Sequence, residues 1–320
     1  MFDSIGRHID TLRVSLTDRC NLNCWYCKGQ KTPCTPDSAI LPINEIRKLI
    51  GCFISAGIKK IKLTGGEPLL RNELVDLVAD LSCLPLSDML VTTNGTVLST
   101  HARDLYAAGL KRINISIDTL NAAKYHFITG ADLFRDVWKG IESALESGLS
   151  VKINTVVIRG FNDGEVADFV KLARDFPGLI VRFIELMPTR GIDNWQNYFT
   201  PREEMLRRIE DANGPISSAG GVYGSGPAEY FKICRTGAVF GIISPVSKPF
   251  CRWCNRIRID ARGRLILCLH HDLSFDLAKY LKADEKELSV LLENIVLHKP
   301  RGHKLGTVTT SDVVMSAMGG

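Results

Sequence analysis

A chain of 320 residues, 45% of them apolar, holds one large α/β unit with an appended region, or two ordinary domains, with ample core material for either. Forty basic residues against 35 acidic ones leave a charge of +5, and aromatics make up 8%. That mild excess suits an anionic small ligand and argues against a nucleic-acid-binding module, whose face is basic and studded with aromatics.

The opening "MFDSIGRHID" lacks a basic start followed by an apolar core, and no apolar run is long enough to cross a bilayer. A cytoplasmic protein without a membrane partner is therefore expected. In chain order, six segments then alternate as strands do: "LRVSLT", "KIKLT", "MLVTT", "RINISID", "VKINTVVI" and "LIVRFIEL". Between them Ile46, Leu49, Ile50 and Phe53 recur at helical spacing. So do Leu74, Leu77, Val78 and Leu81, and nearly so Val137, Ile141, Ala144 and Leu145. Strand and helix alternating in this way imply parallel strands with right-handed crossovers.

The strands run into "TDRC", "TGGEP", "TNG", "SID", "RG" and "ELMP". These are polar or glycine-rich, and they fall where parallel barrels carry their active sites. Six units are fewer than a closed barrel uses, so an open, incomplete (βα)6 barrel is expected. A Rossmann-type sheet is the alternative that strand number leaves standing. Composition shifts over residues 211–230, "DANGPISSAGGVYGSGPAEY", which reads as loop or linker. A β-rich section, "CRWC", Cys268 and a helix bearing Leu288, Leu291, Leu292 and Ile295 follow, before a Gly-Gly end. The expected division is a partial barrel over 1–220 and a C-terminal region over 221–320.

Ten cysteines without a secretory segment point to reduced thiols rather than a disulfide framework. Six of them form two triads. In "CNLNCWYC", Cys20, Cys24 and Cys27 can fold round one metal centre. Zinc would need a fourth ligand, which a distant histidine could supply. An iron–sulfur cluster normally takes four thiolates, so three would leave one iron open to a small molecule.

The second triad is Cys251, Cys254 and Cys268. A zinc ribbon completed by His270 or His271 is one reading. Against it stand Arg252, Arg256 and Arg258, whose planar donors suit phosphate. Cys34, Cys52, Cys83 and Cys234 read as small apolar packing residues. The glycines of "TGGEP" either let backbone approach a ligand or make a tight turn.

C-x-x-x-C-x-aromatic-C after the first strand, with "TGGEP" after the next, resembles the radical S-adenosylmethionine enzymes. Together with "VTTNG", "FIELMP", "GPAEYF", "SPVSKPFCRWCNRIRID" and the terminal "GG", it closely resembles the GTP 3′,8-cyclase family of molybdenum cofactor biosynthesis, over essentially the whole chain. The resemblance implies an α/β fold: an incomplete (βα)6 TIM-type barrel whose open side a C-terminal domain covers. It makes Cys20, Cys24 and Cys27 ligands of a [4Fe–4S] cluster whose open iron chelates S-adenosylmethionine. Tyr26, Gly66, Ser116 and Met187 fall on contacts to that cofactor. Cys251, Cys254 and Cys268 would hold a second [4Fe–4S] cluster, whose open iron takes the guanine of GTP.

Arg13, Lys62, Thr92, Lys152, Arg256 and Arg258 match GTP-contact positions, with Ile257 contributing backbone. Lys62 stands where arginine is usual; it keeps the charge and loses the bidentate fork. The implied reaction cleaves S-adenosylmethionine reductively to a 5′-deoxyadenosyl radical, which takes the hydrogen from C3′ of the GTP ribose. The resulting carbon radical closes on C8 of guanine, giving (8S)-3′,8-cyclo-7,8-dihydroguanosine 5′-triphosphate. An electron donor is required, a homodimer is compatible, and the product passes to cyclic pyranopterin monophosphate synthase. The tail, here Gly319 and Gly320, would reach the active site. The rival within the superfamily is an enzyme with an auxiliary cluster acting on a peptide, which needs neither the arginine pair nor the Gly-Gly tail.

Overall fold

The strands β1 (Thr11–Ser15), β2 (Lys60–Thr64), β3 (Asp88–Thr93), β4 (Arg112–Ser116), β5 (Ser150–Val157) and β6 (Leu179–Glu185) form where the apolar alternation places them. They are seen in a computed structural model that describes residues 1–28, 35–189, 192–221, 223–224, 226–271, 273–303 and 305. Each pairs in parallel with the next in sequence. That unbroken order has no switch point and so excludes the Rossmann alternative, whose strand order reverses at the centre.

Helices α1 (Trp25–Lys28) and α2 (Ile43–Ser55) follow β1, α3 (Leu74–Ser82) follows β2 and α4 (Ala102–Ala107) follows β3. After β4 come α5 (Ala122–Thr129) and α6 (Phe134–Glu146). Then α7 (Val166–Asp175) and α8 (Arg202–Asn213) follow β5 and β6. Helix α2 buries Ile46, Leu49, Ile50 and Phe53, and α3 buries Leu74, Leu77, Val78 and Leu81. Those are the periodic positions. Helix α6 buries Val137, Ile141 and Ala144, with Leu145 partly covered. Helix α8 is charged along most of its length and buries only Met205 and Ile209, so periodicity gives it little signal.

Residues after 213 add β7 (Ile216–Ser218), β8 (Glu229–Ile233), β9 (Val239–Ile243), β10 (Arg256–Ile259), β11 (Arg264–Ile266), β12 (Ser274–Asp276) and α9 (Glu285–Val296). They extend the same sheet at both edges, in the order β12-β11-β10-β1-β2-β3-β4-β5-β6-β9-β8-β7. Strand β9 lies parallel to β6 and β10 parallel to β1, so eight parallel strands stand side by side. The outer strands are antiparallel. Helix α9 carries the expected stripe of Leu288, Leu292 and Ile295 and packs on α2. No helix among the described residues is long and apolar enough to cross a membrane.

The core lies between sheet and helices. Leu12, Val14, Ile61, Leu63, Val91, Ile113, Ile115, Val151, Ile153, Val181 and Phe183 are fully buried there. Because side chains alternate along a strand, the residues between them point into the barrel: Arg13, Lys62, Thr92, Asn114, Lys152 and Arg182. A closed barrel usually fills that space with Val, Ile and Leu. Here it is polar and cationic.

Of the four cysteines expected to pack in the core, Cys52 does. Cys83 and Cys234 are exposed, a correction to that expectation. Both sit where an element ends, Cys83 as the C-cap of α3 and Cys234 just after β8, beyond the cover that the element's packed face has. Cys34, Gly319 and Gly320 lie outside the described residues.

Candidate active site

The first triad follows the C-terminal end of β1, with Cys27 inside the short helix α1. Cys27 N donates to Cys24 O at 3.0 Å, which tightens the loop between them. Two N–H groups point at the Cys20 sulfur: Leu22 N at 3.4 Å and Asn94 Nδ2 at 3.6 Å. Burial pushes the Cys24 thiol well above its ordinary value, and the charges of Asp118, Cys27 and Cys20 add to this.

A triad in which Cys24 ionises this unfavourably calls for positive charge among its sulfurs, and a thiolate-only donor set with N–H groups aimed at sulfur suits iron and sulfide. Among the described residues no group of Cys, His, Asp and Glu side chains is set to hold a single metal ion. A four-iron cubane binds each thiolate to a different iron, so its sulfurs need not converge on one point. The residues fit such a cluster.

The loops after β2 and β3 brace this loop. Gly66 N donates to Thr17 O at 2.6 Å and Glu67 N to Arg19 O at 2.7 Å. A Cβ on Gly66 would lie 2.2 Å from the Arg19 carbonyl oxygen. The glycine is therefore demanded by the protein's own chain, whatever a cofactor requires. The Glu67 carboxylate is fully buried and accepts from Leu69 N, Thr93 Oγ1 and Asn94 N. Burial pushes it up to about 7, and those donors hold it down from going further.

The Tyr26 hydroxyl donates to Asp118 Oδ2 at 2.6 Å, and Tyr26 O accepts from Thr189 Oγ1 at 2.9 Å. Ser116 ends β4, and Met187 lies just past β6. Tyr26, Gly66, Ser116 and Met187 thus all stand at the C-terminal rim with the triad.

The second triad stands at the opposite end. Cys251 and Cys254 precede β10, which runs parallel to β1 with Thr11 beside Arg256. Cys268 follows β11, which returns antiparallel. The two rims are separated by the length of β1, five residues, roughly 16 Å at ~3.3 Å per residue.

Cations surround this triad. Arg256 Nη2 lies 4.0 Å from Cys254 Sγ, and Arg7 Nη1 donates to Cys251 O at 2.8 Å. Lys299 Nζ donates to Arg256 O at 2.7 Å and also to Leu267 O. Burial would raise the Cys254 thiol, but Arg256 and Lys299 bring it down to about 7. A substantial share of Cys254 is therefore thiolate at neutral pH before any iron binds. Burial, with His303 and Arg258 nearby, pushes His270 down to about 3, so it stands neutral beside the triad.

Between the rims lie Arg13, Lys62, Lys152, Arg256 and Arg258, with Thr92 among them. The side chain of Ile257 is fully buried on the apolar face, leaving its backbone for any inner contact. Burial lowers every one of these cations that shifts, and mutual repulsion adds to it. Lys62 comes to about 7, with Arg13, Arg256 and Arg182 beside it and Asp88 opposing. Lys152 also comes to about 7, with Arg182 and Arg112 against it. Arg258 falls to about 10, and Arg13 and Arg182 are lowered too. At the N-terminal strand ends the interior opens into a cavity of about 980 Å³, lined by Lys60, Asp88, Arg112, Lys152, Tyr223 and Gly224. That is ligand-sized.

Sequence reasoning missed Arg182. It sits on β6 between Val181 and Phe183, is 8% exposed, and its buried Nε has no hydrogen-bond partner among the described residues. A cation inside the apolar run "LIVRFI" was the available signal. Also missed were Glu67, Asp118 and Asn94, whose partners lie on other strand ends.

Residues 14–173 match the Radical SAM superfamily, and residues 179–305 match Molybdenum Cofactor Synthesis C. The chain is 40% identical to the GTP 3′,8-cyclase of Desulforamulus reducens (strain ATCC BAA-1160 / DSM 100696 / MI-1), covering all of both chains. It is 43% identical to that of Peptoclostridium acidaminophilum, over 95% of this chain and 94% of the relative. Among solved structures, Streptococcus suis SuiB bound to precursor peptide SuiA superposes with a TM-score of 0.65 at 12% identity, over 95% of this chain and 76% of that one. SuiB bound to S-adenosylmethionine gives 0.63 at 12% identity, over 87% and 65%. Those two likenesses concern the fold alone. The identity over full length to the cyclases decides the narrower group: the chain belongs to the radical SAM superfamily and, within it, to the GTP 3′,8-cyclase family.

Proposed function

We propose that this chain is a GTP 3′,8-cyclase that carries an iron–sulfur cluster on Cys20, Cys24 and Cys27 and a second on Cys251, Cys254 and Cys268. GTP would lie between them. With S-adenosylmethionine bound, the first cluster would supply its one-electron reductive cleavage. The rest is done by the chain. Tyr26, Gly66, Ser116 and Met187 form the rim against which the cofactor is held. Arg13, Lys62, Thr92, Lys152, Arg256 and Arg258, with the Ile257 backbone and with Arg182 added, hold the triphosphate and turn the ribose toward that rim.

A cationic barrel interior, in place of an apolar one, is the observation that carries this reading. Gathering several buried cations in one space is costly, and an anion bound among them offsets that cost. The division at residue 220 is proposed on composition, with the sheet continuous across it. Transfer of the product to cyclic pyranopterin monophosphate synthase, and a cytoplasmic place of work, belong to the same proposal.

The test is anaerobic reconstitution with iron and sulfide, followed by S-adenosylmethionine, a reductant and GTP. Expected are about eight irons per chain, 5′-deoxyadenosine, and a cyclised nucleotide that forms only when GTP is present. Cofactor cleavage with no change in GTP would defeat the substrate assignment.

Replacing Arg182, Arg256 or Arg258 by alanine should weaken GTP binding by roughly ten- to a hundredfold each, since a hydrogen bond to a charged group is worth about 1.5–3 kcal/mol. Calorimetry showing unchanged affinity would return these arginines to a structural role.

The lysines make binding depend on pH. Free, Lys62 and Lys152 lie at about 7; a bound triphosphate raises both, so the complex carries more protons than the free protein. Affinity should be full below pH 7 and fall above it, by up to about tenfold per unit per lysine. Above about pH 7.5 the phosphate itself has finished titrating. Lys62→Arg keeps the charge but does not titrate, so it should take up one proton fewer on binding. Calorimetry in buffers of different ionisation enthalpy reads that uptake directly, and an affinity flat from pH 7.5 to 9 would refute it.

A further inference from the structure

We propose that Asn94 is a positioning residue for the first iron–sulfur cluster: its side-chain amide aims an N–H at the Cys20 sulfur and so sets how readily the cluster takes up an electron. The inference rests on the assignment of Cys20, Cys24 and Cys27 to a cluster and adds a residue outside both triads.

Asn94 follows β3. Its Nδ2 lies 2.8 Å from Asn21 Oδ1 and 3.6 Å from Cys20 Sγ. Its Oδ1 accepts from Thr96 N at 3.0 Å and from Thr96 Oγ1 at 2.7 Å. The Thr96 backbone N–H can only donate, so it fixes which end of the amide is oxygen. Reversed, the amide would set oxygen against Asn21 Oδ1 and a lone pair against the sulfur. Asn21 Nδ2 donates to Thr96 Oγ1 at 2.9 Å, closing a ring of three side chains.

The backbone is held as firmly. Asn94 N donates to Glu67 Oε2 at 2.6 Å, and Glu67 Oε1 accepts from Thr93 Oγ1 at 2.7 Å. Asn94 is 9% exposed and Thr96 is 6%. A side chain restrained on three sides, with its remaining N–H turned to sulfur, is a donor fixed in advance of any cluster.

An N–H···S hydrogen bond draws electron density from the thiolate, and the bond strengthens as the cluster gains an electron. The reduced state is favoured, and the potential rises. Leu22 N makes a second such contact and survives any change at Asn94, so the effect of a substitution is partial.

The test is a redox titration of the reconstituted full-length chain followed by electron paramagnetic resonance, using the signal that changes when S-adenosylmethionine is added. Two variants serve. Asn94→Ala removes the donor. Asn94→Asp, titrated at pH 8, keeps an oxygen for Thr96 and replaces the donor by a carboxylate oxygen. Both should retain their iron and show a more negative midpoint. At a fixed reductant potential the ratio of reduced to oxidised cluster should fall about three- to tenfold, a tenfold change being ~59 mV for a one-electron couple.

Unchanged midpoints with iron intact would overturn the proposal alone. Loss of iron from both variants would also overturn it, making Asn94 a part that merely holds the loop. A wild-type chain with no S-adenosylmethionine-responsive signal would overturn the cluster assignment, and the proposal with it.

Discussion

Alanine at Cys24 should abolish cleavage of S-adenosylmethionine. The three thiols of the first triad come from one loop and one helical turn between residues 20 and 27, and Cys20 and Cys24 are packed against the core. Two remaining thiolates cannot hold a cubane and keep one iron open for the cofactor. The loss should exceed the ~10–100-fold that follows from removing a hydrogen-bond partner of a metal ligand. The fold should survive, because Gly66 and Glu67 brace the loop through backbone that the substitution leaves alone. Chromatography of 5′-deoxyadenosine after anaerobic reduction measures the outcome. Normal release from the variant would remove the first triad from the chemistry.

Alanine at Cys254 should behave differently, with cofactor cleavage persisting while conversion of GTP disappears. The reason is position. Cys254 lies at the N-terminal rim with Arg256 and Lys299, and the first triad lies at the C-terminal rim, a strand length away. Losing the thiolate at Cys254 leaves two cations, Arg256 and Lys299, beside a site that no longer offsets them, and removes the group proposed to hold guanine. The nucleotide would then be bound by its phosphates alone, with no fixed place for the base, and a misplaced reacting atom forfeits most of the rate that orientation supplies. Iron content should fall by about half if each triad holds one four-iron cluster. If the two cysteine variants lose the same activities to the same degree, the division of labour between the rims is wrong.

Local pattern carried much of this protein. Alternating apolar residues placed β1 to β6, and the 3.6-residue recurrence of Leu74, Leu77, Val78 and Leu81 marked a helix that buries those four side chains. Periodicity is written in neighbouring residues, so it survives without knowledge of the rest of the chain. Cysteine spacing is equally local, and both triads were legible for that reason. Helices α5 and α8 were not. Helix α5 is set by its caps, with Asn121 accepting from Lys124 N and Gly130 in the left-handed region, and α8 by a few contacts beneath a charged surface.

What the tertiary structure decided concerns partners distant in sequence. Pairing of β10 with β1 brings Arg256 beside Thr11 and sends the second triad to the rim opposite the first; no spacing within "CRWC" contains that. Register and pleat turn Arg182 inward with Arg13 and Lys62, so that a charge in an apolar strand becomes part of a cationic interior. The Arg19 carbonyl is what requires Gly66 to lack a side chain. Asn94 meets Cys20 because the ends of β1 and β3 lie at one rim. Composition and spacing name the chemical groups. Which of them meet, and in what surroundings of charge and burial, follows from long-range strand pairing, because a side chain's field is set by neighbours in space.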